Sequence, residues 1–336
     1  MSKSLIFITG ATGFIGAEVV QQALEAGYRV RLSIRRPEQA DTLKNRYAEY
    51  ASEIETVVIP DITQREPFEK ALDDVEYIIH IASPLPGQGK DLKQDFIKPA
   101  VDGTEAILYA ALKFPRIKSV VITSSGIALL PVDDDMLNNK TFKEDTGEVH
   151  PVNVDVEVPD SPEGQQLMYR ISKILAHQAG RNFLSREKPS YKLFTTHPTL
   201  VIGESRIQSS AEQIDFVNGM LWTFVHHGLP NPNFLPSIWV DIKDVGATHV
   251  KALDCNAPSG TEFLVSGPDV TWNEIAEFTQ QEYPEISKLE PNYEGPHPRA
   301  EAFNAGRYLG LEWRPWKQTM RETIEQQLSF QDKASK

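Results

Sequence analysis

Leu5-Ile6-Phe7-Ile8-Thr9-Gly10-Ala11-Thr12-Gly13-Phe14-Ile15-Gly16 is the stretch on which the reading of this chain turns. An apolar, β-rich run ends at Thr9. A glycine-rich turn follows, and apolar residues then recur at helical spacing from Phe14 to Ala26, stopping before Gly27. A strand, a tight glycine turn and a helix in that order form a phosphate-binding unit. Gly10 and Gly13 leave the turn free of side chains, and Gly16 lets the helix approach the sheet. The helix start then presents unpaired N–H groups and a positive dipole end to a pyrophosphate.

Working outward, strand-like and helix-like segments alternate. Arg29–Ile34 carries Val30, Leu32 and Ile34 on one face. Pro37–Tyr50 reads as a proline-initiated helix, and Thr56–Ile59 as a short strand. Glu76–Ile81 reads as a buried strand, Asp91–Lys113 as a helix and Ser119–Thr123 as a β-branched strand. Gln165–Arg186 is a long helix before the strand Lys192–Thr196. Alternation of this kind predicts an α/β fold, a Rossmann-type doubly wound parallel sheet. After Gly203 the pattern breaks into Pro-rich loops and scattered helices, which predicts a smaller C-terminal substrate-binding lobe. The expected division is 1–203 for the dinucleotide-binding domain and 204–330 mainly for the lobe, with some segments returning to the first domain. The acidic stretch Pro131–Gly164 is long for a connection, and reads either as a solvated insertion or as a functional loop.

Composition narrows the class. The chain has 336 residues, with 47 acidic and 34 basic side chains and a formal charge of −13. Such a surface repels nucleic acid and anionic membranes. No apolar run is long enough to span a bilayer, and the N-terminus lacks the layout of a secretory signal. Cys255 is the single cysteine, so there is no internal disulfide. A cytoplasmic protein, monomer or homodimer, is the expectation. His177, His226 and His227 show no metal-ligand spacing, so no metal site is expected and they read as helix-face or loop residues.

The second strand ends Leu32-Ser33-Ile34-Arg35-Arg36, without the acid that would hold a ribose 2′-hydroxyl. Arginine there suits a 2′-phosphate, so the expected cofactor is NADP(H). Tyr169 and Lys173 lie four apart on a predicted helix, one turn apart on one face. A fixed ammonium beside the phenol, with an oxidised nicotinamide nearby, would favour phenolate and allow proton exchange with a substrate oxygen. Ser124 and Ser125 follow the strand Ser119–Thr123, at the end of the sheet where such folds place ligands.

Several ordered motifs carry a family resemblance. They are the Gly10–Gly16 loop, Ile79-His80-Ile81-Ala82-Ser83-Pro84, Ile97–Thr104, Val121-Ile122-Thr123-Ser124-Ser125, Tyr169-Arg170-Ile171-Ser172-Lys173, His197–Gly203 and Trp239–Val245. Together they resemble the extended short-chain dehydrogenase/reductase superfamily, and within it the dihydroflavonol-4-reductase group with its fungal aldehyde and ketone reductase relatives. The resemblance implies NADPH-dependent reduction of an aldehyde or ketone to an alcohol, and the expected partner is an apolar or aromatic small-molecule carbonyl substrate. It implies Tyr169 as proton donor, Lys173 assisting and Ser125, rather than Ser124, polarising the carbonyl. It implies cofactor contacts at Gly10, Thr12, Gly13, Phe14, Ile15, Gly16, Arg35, Arg36, Asp61, Ile62, Ala82, Ser83, Tyr169, Lys173, Pro198, Thr199, Leu200 and Val201. Asp61 also reads as a plain helix cap. His197 departs from the pattern, which has an apolar residue or asparagine there. Leu221, Trp222, Phe224 and Phe234 suit either an apolar, aromatic-accepting pocket or a core. The alternatives are a sugar-nucleotide epimerase or dehydratase, a hydroxysteroid-type dehydrogenase, and a non-catalytic NADP-sensing protein.

Overall fold

The structure is a computed structural model that describes residues 3–87, 89–132, 140–228, 237–295 and 297–334. Its centre is a seven-stranded sheet. The strands are β1 (Leu5–Thr9), β2 (Arg29–Ile34), β3 (Ile54–Val58), β4 (Tyr77–His80) and β5 (Ser119–Thr123), then, beyond the short β6 (Thr141–Lys143), β7 (Lys192–Pro198). Two further short strands, β8 (Leu200–Ile202) and β9 (Trp239–Asp241), pair with each other, and β10 (Glu262–Val265) completes the sheet. The last strand, β11 (Arg299–Glu301), pairs with β6. The order across the sheet is β10-β7-β5-β4-β1-β2-β3, and every pairing in it is parallel. This is the doubly wound order, with its reversal between β1 and β4.

Helices α1 (Phe14–Glu25), α2 (Gln39–Arg46), α3 (Arg65–Ala71), α4 (Lys98–Ala111) and α5 (Pro162–Glu187) make the crossovers. Helix α6 (Phe216–His227), α7 (Ile242–Ala252), α8 (Trp272–Glu282), α9 (Asn304–Leu309) and α10 (Trp316–Ala334) follow. One apolar layer, including Ile6, Ile8, Val19, Val245 and Phe263, fills the face covered by α1 and α7. The opposite layer, including Phe7, Phe68, Ile107 and Phe183, fills the other. A third cluster around Trp239, Trp272, Phe224 and Ile324 makes the core of the C-terminal part. Among the described residues no helix is long and apolar enough to cross a membrane.

Two helices differ from expectation for local reasons. The segment Pro37–Tyr50 is not one helix: α2 ends at Arg46 and a 3-10 segment takes over at Ala48. Tyr47 turns inward to donate its hydroxyl to the Ala17 carbonyl at 2.9 Å, which breaks the helical run. The segment before α4 is a π-turn, Leu92–Ile97. Pro99 has no N–H to continue a regular ladder there, and Asp91 caps the turn by accepting from the Gln94 amide at 2.7 Å.

The acidic insertion is not simply solvated. Strand β10 is the edge of the sheet, and its outward amides would otherwise be open to pairing with another chain. Glu144 accepts the Leu264 amide at 2.7 Å, and Asp145 accepts the Glu262 amide at 2.9 Å. The other Glu144 oxygen takes the Phe303 and Asn304 amides at 2.7 and 2.6 Å. The carboxylates thus stand in for a missing strand and tie the insertion, β10 and α9 together. Residues 133–139 of the insertion lie outside the described residues.

Removing the Glu144 carboxylate leaves three backbone donors without it. Glu144→Ala is expected to lower unfolding free energy by about 2–4 kcal/mol in urea titration, with Glu144→Gln costing less. A stability within about 0.5 kcal/mol of wild type would contradict the edge-clamp role.

Candidate active site

The site gathers at the C-terminal ends of β1, β4, β5 and β7. Gly10 begins the turn with φ +74°, and a methyl group there would lie 2.8 Å from the Ala82 amide nitrogen. The loop after β4 therefore passes directly against the turn after β1. Thr9 fastens the two: its Oγ1 accepts the Ile81 and Ala82 amides, each at 3.1 Å, and meets His80 Nδ1 at 2.9 Å. With its lone pairs taken, the hydroxyl donates to an unprotonated Nδ1. Burial, with Lys173 adding to it, pushes His80 down to about 3, which keeps the ring neutral. This Thr9–His80 link was not anticipated from sequence.

The three glycines do different work. A methyl at Gly16 would sit 2.0 Å from the Gly10 carbonyl oxygen, so α1 and the turn can touch only without it. Gly13 has an ordinary extended φ of −88°, and a methyl there would meet only Gly10 oxygen at 3.5 Å. The backbone at Gly13 is thus one that any residue could adopt, and what the glycine leaves there is space. The protein itself leaves room at Gly13, at the N-terminus of α1. Gly13 is exposed, Thr12 is half-buried, and Phe14 and Ile15 are half-buried against the core under α1.

The early basic residues divide into two groups. Lys3 pairs with Glu53 at 3.0 Å, Arg29 with Glu55, and Arg31 with Glu55 and Asp74 at 2.6 and 2.7 Å. Arg35 and Arg36 are exposed just beyond β2. Gln39 Oε1 accepts both their backbone amides at 2.9 and 3.1 Å, and the Arg36 carbonyl accepts the Gln39 amide at 3.1 Å. Among the described residues, no protein group neutralises either guanidinium.

Asp61 accepts from the Thr63 amide and hydroxyl at 2.9 and 2.7 Å, forming a local turn before α3, whose N-cap is Gln64. Ile62 packs against α4 so closely that a methyl at Gly103 would lie 3.0 Å from it. Ala82 and Ser83 are half-buried on the loop after β4. Pro198 ends β7, Thr199 donates its amide to the Val265 carbonyl at 3.0 Å, and Leu200 and Val201 open β8.

Tyr169 and Lys173 lie on α5, which begins at Pro162 with Ser161 as its cap. Tyr169 is half-buried, and its side chain hydrogen bonds that of Ser125. Burial pushes the phenol above its ordinary value of 10, and the Ser125 hydrogen bond acts against that. Lys173 is buried and pushed down to about 8 by desolvation. Its Nζ lies 3.3 Å from the Thr123 carbonyl oxygen and 5.7 Å from the Tyr169 ring centroid. The ammonium thus sits over the ring face and not against the phenol oxygen. Among the influences on the phenol, burial, which raises it, is the largest. Ser124 points elsewhere. It lines a cavity of about 20 Å³ with Ala82, Ser83, Ile122, Lys173 and His177 among others.

His177 is not a plain helix-face residue. Its Nε2 lies 3.0 Å from Glu262 Oε1, and its ring packs edge-on against His197, with centroids 4.7 Å apart. Ligand-type atoms of His177, His197 and Glu262 fall within 4.8 Å of one another. These residues are far apart in sequence, so no spacing rule could have joined them. His226 and His227 end α6, where His226 Nδ1 meets the Trp222 carbonyl at 3.0 Å. Leu221 and Phe224 belong to the core with Trp272, which removes them from the candidate pocket. Phe234 lies outside the described residues.

The model of the NAD dependent epimerase/dehydratase family matches residues 6–227, the segment that carries the glycine turn, Ser125, Tyr169 and Lys173. The chain belongs to this family. A relative within reach is the ketoreductase sphI of Aspergillus fumigatus, 36% identical over 335 residues, covering 98% of this chain and 99% of that one. The family fold is also that of yeast methylglyoxal/isovaleraldehyde reductase Gre2, solved in complex with NADPH. There the TM-score is 0.81 at 23% identity, over 98% of this chain and 99% of the other. Vestitone reductase from alfalfa gives a TM-score of 0.76 at 21% identity, over 99% of both chains.

The glycine geometry makes a separable forecast. Gly16→Ala should lose about 1–3 kcal/mol of stability through the clash with Gly10. Gly13→Ala should keep wild-type thermal unfolding yet weaken dinucleotide binding tenfold or more in a fluorescence titration. Equal effects of the two on stability would refute the division of roles.

Proposed function

We propose that this protein is an NADP-dependent oxidoreductase that reduces an aldehyde or ketone to an alcohol, using NADPH and releasing NADP⁺ at each turnover. The observation that carries the reading is the meeting of Ser125, Tyr169 and Lys173 beside the Gly10–Gly16 turn. Supporting names come from relatives, among them the Aspergillus ketoreductase and the NADPH-complexed yeast reductase.

The residues present fit the cofactor. The room at Gly13 and the free amides of the first turn of α1 suit a pyrophosphate. Arg35 and Arg36, exposed and without a protein counter-charge among the described residues, suit a 2′-phosphate. Asp61 and Ile62 would border the adenine, Ala82 and Ser83 the phosphates and ribose, and Pro198–Val201 the nicotinamide end. Bound NADPH supplies the hydride.

The protein's part is orientation and proton transfer. Ser125 donates its hydroxyl hydrogen to the carbonyl oxygen, where negative charge develops. Tyr169, kept protonated by burial, gives its proton to that oxygen as the alcohol forms. The Lys173 ammonium then stabilises the phenolate left behind and holds the ribose hydroxyls. Residues 1–203 hold the cofactor in this reading and 204–330 mainly shape the substrate side, with β10 rejoining the sheet.

The substrate class is a bulky, largely apolar carbonyl compound. Leu85 is half exposed on the loop after β4. Gln165, one turn before Tyr169, holds that loop by accepting the Gly87 amide at 2.8 Å and donating to the Gly89 carbonyl at 3.0 Å. The remaining stretches expected to shape the pocket include Gln88 and 229–236, outside the described residues.

Cofactor preference and proton donation are tested separately. Arg35→Asp should raise KM for NADPH at least tenfold and leave that for NADH within threefold. A wild-type enzyme that uses NADH as efficiently as NADPH would refute the arginine assignment. Tyr169→Phe should lower kcat at least a hundredfold with NADPH affinity within threefold, and near-normal turnover would remove the tyrosine from the mechanism.

A further inference from the structure

Behind Ser125 lies a buried polar cluster that the proposed chemistry does not use. His197, on β7, has both ring nitrogens engaged. Nδ1 is 3.1 Å from the Ser125 carbonyl oxygen, and Nε2 is 2.8 Å from Thr195 Oγ1. A carbonyl oxygen only accepts, so Nδ1 carries the proton and Nε2 accepts from the Thr195 hydroxyl. The ring is fully buried, and burial, with His177 adding to it, pushes it down to about 3, so it is neutral. Its single donor is therefore committed to the Ser125 peptide.

The same carbonyl oxygen accepts the Ala128 amide at 3.0 Å, at the start of the 3-10 turn Gly126–Leu129. The Ser125 peptide is thus held from the sheet side by His197 and from the turn side by Ala128. The His197 ring is held in its turn. His177 packs edge-on against it, at an interplanar angle of 88°. A carboxylate only accepts, so His177 donates Nε2–H to Glu262 Oε1 at 3.0 Å. The second Glu262 oxygen accepts the Asp145 amide at 2.8 Å. Burial acts to raise the Glu262 carboxyl, but hydrogen bonds from His177 and the Asp145 amide outweigh it and hold it at about 2, so it stays ionised.

We propose that His197 is a positioning residue for carbonyl reduction. Its Nδ1–H fixes the Ser125 peptide and so aims the Ser125 hydroxyl. Thr195 sets its tautomer, and the Glu262–His177 pair holds its ring plane. The proposal rests on the reading of Ser125 as the hydroxyl that meets the carbonyl. Aim matters here because a displacement on the order of 1 Å in a group that must meet developing charge can cost roughly a hundredfold in rate. The interactions come from β7, the helix α5, the edge strand β10 and the acidic insertion, so the insertion reaches the reaction centre through Glu262.

A double-mutant cycle on the full-length protein tests this, with NADPH and a carbonyl substrate that the wild type turns over. Ser125→Ala and His197→Ala should each lower kcat tenfold or more, with the NADPH Kd within twofold of wild type. In the Ser125→Ala background, His197→Ala should change kcat by less than twofold, because its effect passes through the missing hydroxyl. His197→Asn, whose amide can still donate to the Ser125 carbonyl, should recover most of the loss, and His197→Leu should not. Should His197→Ala fail to fold, Thr195→Val carries the test. It frees the ring to move its proton to Nε2, and should lower kcat at least threefold in the wild-type background and not in Ser125→Ala.

Wild-type kcat in Ser125→Ala would remove both the reading of Ser125 and the proposal. A slow Ser125→Ala beside a His197→Ala of normal kcat would overturn the proposal alone. So would equal losses from His197→Ala in both backgrounds, the mark of a general structural role. Stoichiometric zinc in the purified protein, lost in His197→Ala, would also overturn it, because the metal would take a ring nitrogen now given to Ser125 or Thr195.

Discussion

The contact between Gly16 and the Gly10 carbonyl is the constraint on which the site depends. A methyl group at residue 16 would lie 2.0 Å from that oxygen. Without one, α1 starts directly at the end of β1, and its unpaired amides face the edge of the sheet where ligands bind. Gly10 in turn admits the loop after β4 against its own backbone, and Thr9 locks the two together through the Ile81 and Ala82 amides. The turn is thus packed between the backbone of α1 and that of the loop after β4. Preformed sites of this kind lose little to reorganisation on binding.

The groups assigned to the proposed reduction follow the next strands of the sheet. Ser125 follows β5, His197 lies on β7, and α5 between them brings Tyr169 and Lys173 back over the sheet. Burial decides their protonation. It holds Lys173 near 8 and the Tyr169 phenol above 10, while His80 and His197 stay neutral. A protonated phenol and a mostly charged ammonium at neutral pH are the states from which a reductive proton transfer starts. The desolvated surroundings that produce these shifts also keep each hydrogen bond strong.

Local patterns were legible in the sequence wherever neighbours in the chain decide the structure. Arg29–Ile34 and Ser119–Thr123 form strands with those bounds, because alternation or a β-branched run is enough to specify them. The glycine turn and the Tyr169–Lys173 spacing were likewise readable. Roles that depend on distant partners were not. Tyr47 ends a helix by reaching Ala17, and Glu144 and Asp145 clamp an edge strand more than a hundred residues later in the chain. His177 read as an ordinary helix residue because its partner, Glu262, arrives only when β10 joins β7.

Hydride delivery to an outside carbonyl compound is the central claim, and isotope transfer tests it most directly. The purified protein would be given NADPH deuterated at the transferred position and a bulky apolar ketone, with product followed by mass spectrometry. The account predicts one deuterium in each alcohol formed and one NADP⁺ released for it. Deuterium-free product, or tightly held NAD with no NADPH consumed across a broad carbonyl panel, would contradict it.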